Sequence, residues 1–467
     1  MWTEQGNFTK GEIDPQLSGR TDSELYFAGV ETARNVQLIP QGGLRVRYGT
    51  EYIDTAVNGR LEPFTASDGS EYLLLFSDGK MYVYHDDTLV TNINGSGLSY
   101  LVIPHTAAQI ADMDYFQTGN TLFLLHEDVE TRKILWSADA TWTIAALTSF
   151  ATNIPKFNFD DSSSPAGTSE VQTLTFVAAS ASDRFKISAY GILTDEIAYA
   201  GDSNTDQRDG TARNMQEALQ NHPLFKGRTV TVAWSAGLAY TVTMDKGLPY
   251  PIGAISVVAV YTHLTTFRCT AAITVAGVSR SEAVWSGTRG WPRTGCLHEG
   301  RLFFGGSKKL TQTVWGSNTN DVFNFRDGAG LDDQGVTFSI ASSNAQKIQS
   351  IFSNGTLQIF TTYNEYYVPV SPITPETVAA KVQTSNGSKR IRPINMNGQT
   401  VYVQYTGKSI NSFEYINDTQ ANRSLSVSLL SPHLIKNPVS MILRAGTSTL
   451  DATYVYIVNT DGTVTIL

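Results

Sequence analysis

The sequence predicts a mainly β protein, with propeller-like antiparallel blades and an inserted small α+β domain. Three observations predict it. First, a small or polar residue, a glycine and a short apolar strand recur together. Examples are Ser77-Asp-Gly-Lys-Met-Tyr-Val-Tyr84, Gln117–Leu125, His298–Phe304, Ser353–Phe360, Met396–Val403 and Asn459–Leu467. Asp-Gly and Asn-Gly are strong hairpin signals, since both residues reach the left-handed conformation of a type I′ turn. Second, Gly79 and Gly119 lie 40 apart and Gly355 and Gly398 lie 43 apart, near the period of a four-stranded blade. The other steps, 55 and 64, leave the period loose. Third, the pattern breaks between about Ile154 and Trp291, where a helical periodicity stands out.

Taken in order, residues 1–60 form an N-terminal hairpin or docking segment. Arg34–Thr50 reads as a short apolar strand, a Pro-Gln-Gly-Gly turn, and a strand alternating Leu44, Val46 and Tyr48 with Arg45 and Arg47. Pro40 fixes φ, and Gly42 and Gly43 accept the positive φ of a tight reversal. Residues 61–153 hold the first blades. Residues 154–290 are the α+β insertion, opening on the polar linker Asp160–Thr168. Its strands are expected at Val171–Ala178, Arg184–Ala189, Glu196–Ala200, Thr229–Ser235, Ala239–Met244, Ile255–Tyr261 and Ala271–Val275. Its helix is expected from Thr211, as N-cap, to Asn221, ended by His222-Pro223. Residues 291–467 return to blades, with Trp315 and Phe323 as core anchors. The chain stops at Leu467 inside a strand, so either a later blade follows or the last strand closes the ring on an early one.

At 467 residues the chain exceeds one ordinary core. Charged residues make up 16%, below the roughly 25% typical of soluble domains, a composition suited to sheets and protein contacts. The two cysteines, Cys269 and Cys296, belong to no metal-ligand cluster and read as reduced structural residues rather than a disulfide. No apolar run follows Met1 and none is long enough to span a membrane, which points to folding in a cytoplasm. The net charge of −9 is uneven: residues 61–150 carry 12 acidic and 3 basic side chains, residues 286–467 carry 11 and 15. This asymmetry suits electrostatic complementarity with a neighbour, or an acidic wall facing a conduit.

Catalytic patterns are not evident. The seven histidines show no HxxxH or HxH spacing, Gly-x-Ser-x-Gly is absent, and no phosphate-binding glycine loop precedes a helix. No metal or cofactor is implied, although Asp327–Asp333 loosely resembles a cation loop. The acid pairs Asp86-Asp87, Asp112 with Asp114, and Asp332-Asp333 read as solvated turns, and a glycan-binding or glycan-cleaving protein is the alternative they leave open. Lys389-Arg390-Ile391-Arg392, the densest basic cluster, reads as an exposed strand edge guarded by charge.

A run of separated positions adds a resemblance. Phe8–Pro15, Gly19-Arg20-Thr21-Asp22, Tyr26, Gly29, Asn35 and Gly42-Gly43-Leu44-Arg45 to Gly49-Thr50 resemble the opening of the tail tubular protein B, or nozzle, family of short-tailed bacteriophages. Tyr48 departs from it, standing where proline is expected. Trp291–Gly306, Gln312–Ser317 and Asp321–Phe325 resemble the same family again. The resemblance implies a structural virion protein in a ring, usually of six copies, that continues the tail tube below an adaptor ring. Tail fibres or spikes are possible neighbours, and the ring end contacts the host envelope during ejection. Double-stranded DNA passes through without specific binding, and synthesis takes place in the host bacterial cytoplasm. Arg34, Arg45 and Arg47 become candidates for docking to the next protomer or the adaptor.

Overall fold

The computed structural model describes residues 5–159, 161–245, 253–263, 265–327, 330–342, 344–418, 421–446 and 452–467. Asp160 of the expected linker, and Gly328 and Ala329 within Asp327–Asp333, lie outside the described residues. The chain divides into two compact units, residues 1–155 with 285–467, and Lys156–Val284.

The first unit is mainly β and propeller-like, a succession of small antiparallel sheets, each a meander of consecutive strands. Blade 1 comprises Arg60–Thr65, Glu71–Ser77, Lys80–His85 and Thr88–Leu89, with Leu101–Val102 pairing onto the third strand. Blade 2 comprises Asp114–Thr118, Thr121–His126, Val129–Ala138 and Thr141–Ala146. Blade 3 runs through Thr294–His298, Arg301–Gly305, Thr313–Gly316 and Val336–Ser339. Blade 4 uses Ile348–Asn354, Thr356–Thr361, Glu365–Val368 and Lys381–Thr384, and blade 5 uses Ile394–Met396, Gln399–Val403, Ile410–Ile416 and Ala421–Ser426. Among the described residues blade 6 has three strands, Pro438–Arg444, Tyr454–Asn459 and Val464–Ile466. The last strand pairs with its own blade, not with an early strand.

Alternation of apolar residues gives each blade a face to bury. Phe64, Tyr72, Leu74 and Phe76 of blade 1 meet Leu122, Leu124, Ile134 and Trp142 of blade 2 in one core. Trp315 is fully buried in blade 3, edge-on to Trp285, whereas Phe323 is half-buried against Phe123 and Phe150.

The turns explain the loose glycine period. Gly119, Gly300, Gly355 and Gly398 close first-to-second-strand hairpins, but Gly79 and Gly462 close second-to-third-strand hairpins. The first hairpin of blade 1 turns at Gly69 instead. Only Glu299-Gly300 and Asn397-Gly398 among these turns place both residues at positive φ, and a glutamate occupies the first of them.

Among its described residues the second unit holds two four-stranded sheets, a two-stranded pair and one long helix. One sheet orders Val230–Ala236, Ala239–Met244, Val171–Val177 and Arg268–Val275; in the other, Arg184–Ala189 pairs with Ile192–Leu193, Ile197–Ala198 and Ser256–Tyr261. Lys156–Phe157 pairs with Glu282–Ala283, so the chain enters and leaves this unit side by side. The helix runs Thr205–Asn221, six residues longer at its start than expected, and Asn204 rather than Thr211 caps it by accepting from Gln207 N. Its first turns are mainly solvent-facing and give no apolar period to read, while Ala212, Met215, Ala218 and Leu219 are buried as expected. Thr211 is itself buried in the helix, its hydroxyl donating back to Gln207 O.

Candidate functional site at the propeller axis

In a propeller the first strand of each blade lines the axis. Here that position gathers charged side chains from distant parts of the chain. Arg392, just before blade 5, points Nη1 at both carboxylate oxygens of Asp114 in blade 2 (3.2 and 3.3 Å) and at Gly295 O in blade 3 (3.4 Å). Its guanidinium lies near the rings of Phe116 and Phe352, 5.7 and 5.9 Å from their centroids. Asp114 also accepts from Thr294 Oγ1 at 2.5 Å, and that hydroxyl accepts from Ile351 N at 3.0 Å. One network therefore joins blades 2, 3, 4 and 5.

A second layer lies beside it. Arg390 donates to the backbone oxygens of Asp112 and Arg293 and lies 3.3 Å from the Asp112 carboxylate. Burial, and then the neighbouring Arg293 charge, pull its guanidinium down to about 10. Arg293 pairs with Glu127 at 2.8 Å and donates to Gln349 at 3.2 Å. On blade 1, Arg60 donates to Ile110 O and Met113 O at the C-terminal end of the short helix Ala107–Ala111, and pairs with Glu62. Burial raises the Glu62 carboxyl above its usual range despite Arg60 and the Tyr115 hydroxyl.

The Lys389–Arg392 cluster is thus an axial tie, not an exposed edge: Arg390 is 9% and Arg392 18% exposed in its side chain. The charge asymmetry is likewise met in part within one chain. Asp112, Asp114, Glu127 and Asp128 of the acid-rich stretch pair with Arg390, Arg392, Arg293 and Lys308 of the basic one. Sequence reading found the basic cluster but not its partners, which lie up to 278 positions away.

Between these ties and the strands is a cavity of about 380 Å³, bordered by Pro63, Tyr115, Phe116, Phe352, Arg392 and Met441 among others. A smaller void of about 10 Å³, room for roughly one water, lies by Arg60, Asp114 and Arg390. Among the described residues no group of three metal-ligating side chains converges. Cys269 and Cys296 are free thiols, and burial pushes both up to about 12.

Arg34, Arg45 and Arg47 lie away from the axis, on the N-terminal hairpin of Val36–Leu38 and Leu44–Val46. Arg34 is exposed. Arg45 Nε donates to Gln37 (3.2 Å) and its guanidinium lies over Tyr48, while Arg47 Nε donates to Asn35 (3.0 Å).

No protein-family model and no curated protein matches the sequence. Solved structures overlap it weakly. A virginiamycin B lyase from Staphylococcus aureus aligns at 6% identity over 87% of this chain and 93% of its own, with a TM-score of 0.33. A 6-phosphogluconolactonase-like protein of Bacteroides fragilis aligns at 12% identity over 78% and 82%, with a TM-score of 0.31. The N-terminal domain of Nup159 aligns at 10% identity over 86% and 88%, with a TM-score of 0.28. Strand order and register within the chain, rather than these overlaps, define its propeller-like sheets.

Proposed function

We propose that this chain is a structural protein acting through its surfaces, a ring-forming nozzle or tail-tube component of a short-tailed phage. The observation that carries the structural reading is the tied axis. In a propeller that binds a substrate there, axial polar groups stay available; here Asp112, Asp114, Glu127 and Glu62 each meet an arginine. The family-like runs in residues 8–53 and 290–370 supply the phage assignment.

The geometry also constrains how such a protein conducts DNA. A cavity of about 380 Å³ cannot hold a duplex whose major groove alone is roughly 12 Å wide, so in this reading the conduit lies between copies. The axial arginines, spent on internal carboxylates, add no phosphate affinity that would slow passage. Electron microscopy of the purified chain tests the reading: rings with an open lumen are expected, and a chain that stays monomeric at every concentration refutes it.

The axial cavity favours one second reading, a glycan-binding or glycan-cleaving tail protein, because Tyr115, Phe116 and Phe352 offer aromatic walls. Specific binding on a glycan array that Phe352→Ala abolishes would select this reading over the conduit.

A further inference from the structure

The walls of the axial cavity of about 380 Å³ are mainly apolar and come from most of the blades. Pro63, Phe116, Phe352, Ile394 and Ile442 stand on the first strands of blades 1, 2, 4, 5 and 6 in turn. Met441 and Leu443 add to the wall on blade 6. Blade 3 presents a glycine beside Phe116. Gly295 O accepts from Arg392 Nη1, and a Cβ on Gly295 would lie 3.1 Å from Phe116 Cε1. The bare backbone there lets the arginine and the ring approach together.

The polar side chains of these walls are bonded within the chain. Gln117 Nε2 donates to Thr65 O and to Gly119 O (2.8 Å), and its Oε1 accepts from Thr65 N (3.3 Å). Asn395 Oδ1 accepts from Gly398 N (3.0 Å), and its Nδ2 donates to Asn354 Oδ1 (3.1 Å). The Tyr115 hydroxyl meets Glu62. Pro63 and Pro393 have no N–H to offer.

Arg392 differs. Among the described residues that line the cavity it is the one charged side chain. Its hydrogen bonds to the described residues all leave from Nη1. Nε and Nη2 therefore keep three N–H donors along one edge of the guanidinium. The side chain is 18% exposed, and Phe116 and Phe352 restrain it from 5.7 and 5.9 Å. Asp114, which takes Nη1, is 5% exposed and does not border this cavity.

We infer that the axial cavity binds a small amphipathic monocarboxylate. Its apolar body lies against Phe116, Phe352, Met441 and Ile442, and its carboxylate takes the Nε and Nη2 donors of Arg392. That edge of a guanidinium offers two parallel N–H bonds, which match the two oxygens of a carboxylate. The volume is near the lower end of the roughly 300–1,000 Å³ of small-molecule sites, which suits a ligand of modest size. The inference does not depend on the ring-forming reading. It competes with the glycan reading for the same cavity, because saccharide hydroxyls would meet wall amides that are already bonded.

Isothermal titration calorimetry of the full chain with octanoate, 1-octanol and acetate tests it. Saturable binding of octanoate is expected. The affinity of 1-octanol should be at least about 10-fold lower, because a hydroxyl lacks the charge-assisted pair. Acetate, without the apolar body, should give no binding heat. Ile442→Asp should weaken octanoate by at least about 10-fold, since it sets a carboxylate into the apolar wall. Ile442 is 44% exposed, so the fold should tolerate this change, and an unchanged melting curve checks it. Methyl NMR of the unsubstituted chain gives a second readout that needs no variant: octanoate is expected to shift the Met441 methyl resonance. Absence of saturable octanoate binding overturns the inference. So does binding that 1-octanol matches, that Ile442→Asp leaves unchanged, or that leaves the Met441 resonance in place. Binding of an oligosaccharide but not of octanoate overturns it and leaves the glycan reading standing.

Discussion

Replacing Arg392 with methionine tests whether the axial ties hold the blades together. Asp114, with a side chain only 4% exposed, would keep the Thr294 hydroxyl but lose its counter-charge. Breaking a buried pair by removing one partner costs about 3–5 kcal/mol. Because Arg392 is 18% exposed and borders the axial cavity, water compensates in part, and the lower end, about 3 kcal/mol, applies. Asp114→Asn should cost about 2–3 kcal/mol, since the amide still accepts from Thr294 but leaves the guanidinium unpaired. The double variant removes both charges, so its loss should fall short of the sum by about 2 kcal/mol. Urea unfolding gives the free energies. Hydrogen exchange localises them, with faster exchange expected in Asp114–Thr118, Thr294–His298 and Ile348–Asn354 and none in the Lys156–Val284 unit. Single losses below about 1 kcal/mol, or strict additivity, would refute the view that this pair couples the blades.

Two further predictions concern stability. His105 is 1% exposed, and burial, then the nearby His126 and Arg132, push it down to about 4. Its folded form resists protonation, so stability is full above the unfolded value of about 6.5 and is lost as pH falls from there to about 4, by about 3 kcal/mol in all. His105→Phe should remove that share of the acid sensitivity, and an unchanged dependence of urea midpoint on pH would contradict the assignment. Gly387 has φ +71°, and a Cβ there would lie 2.2 Å from Thr362 O, whereas Gly355 has φ +70° and open space. Left-handed strain costs about 1–2 kcal/mol and overpacking about 1–3, so Gly387→Ala should lose about 3 kcal/mol and Gly355→Ala about 1, measured by the same unfolding. Equal losses would show that the contact yields.

Much of the local structure was legible in the sequence. Arg184–Ala189 and Ala239–Met244 have their expected bounds because β-branched and aromatic residues alternate there between turn formers. The helix ends at Asn221, where His222-Pro223 stops it, but its start was hidden because mainly polar, exposed turns carry no period. The glycine turns were found as turns, yet the sequence did not say which hairpin of a blade each one closed. Asp-Gly looks the same between any two strands.

For this protein, then, sequence by itself determined the mainly β character, the positions of most turns and the interruption by an α+β insertion. These follow from side-chain period and backbone preference, which act over a few residues. Tertiary structure alone decided the environment of Arg390 and Arg392 and the direction of the N-terminal hairpin. An arginine is solvated or tied according to whether an aspartate 278 positions away reaches it. An alternating strand cannot say which of its faces turns inward until another strand presents Tyr454 and Tyr456 to it.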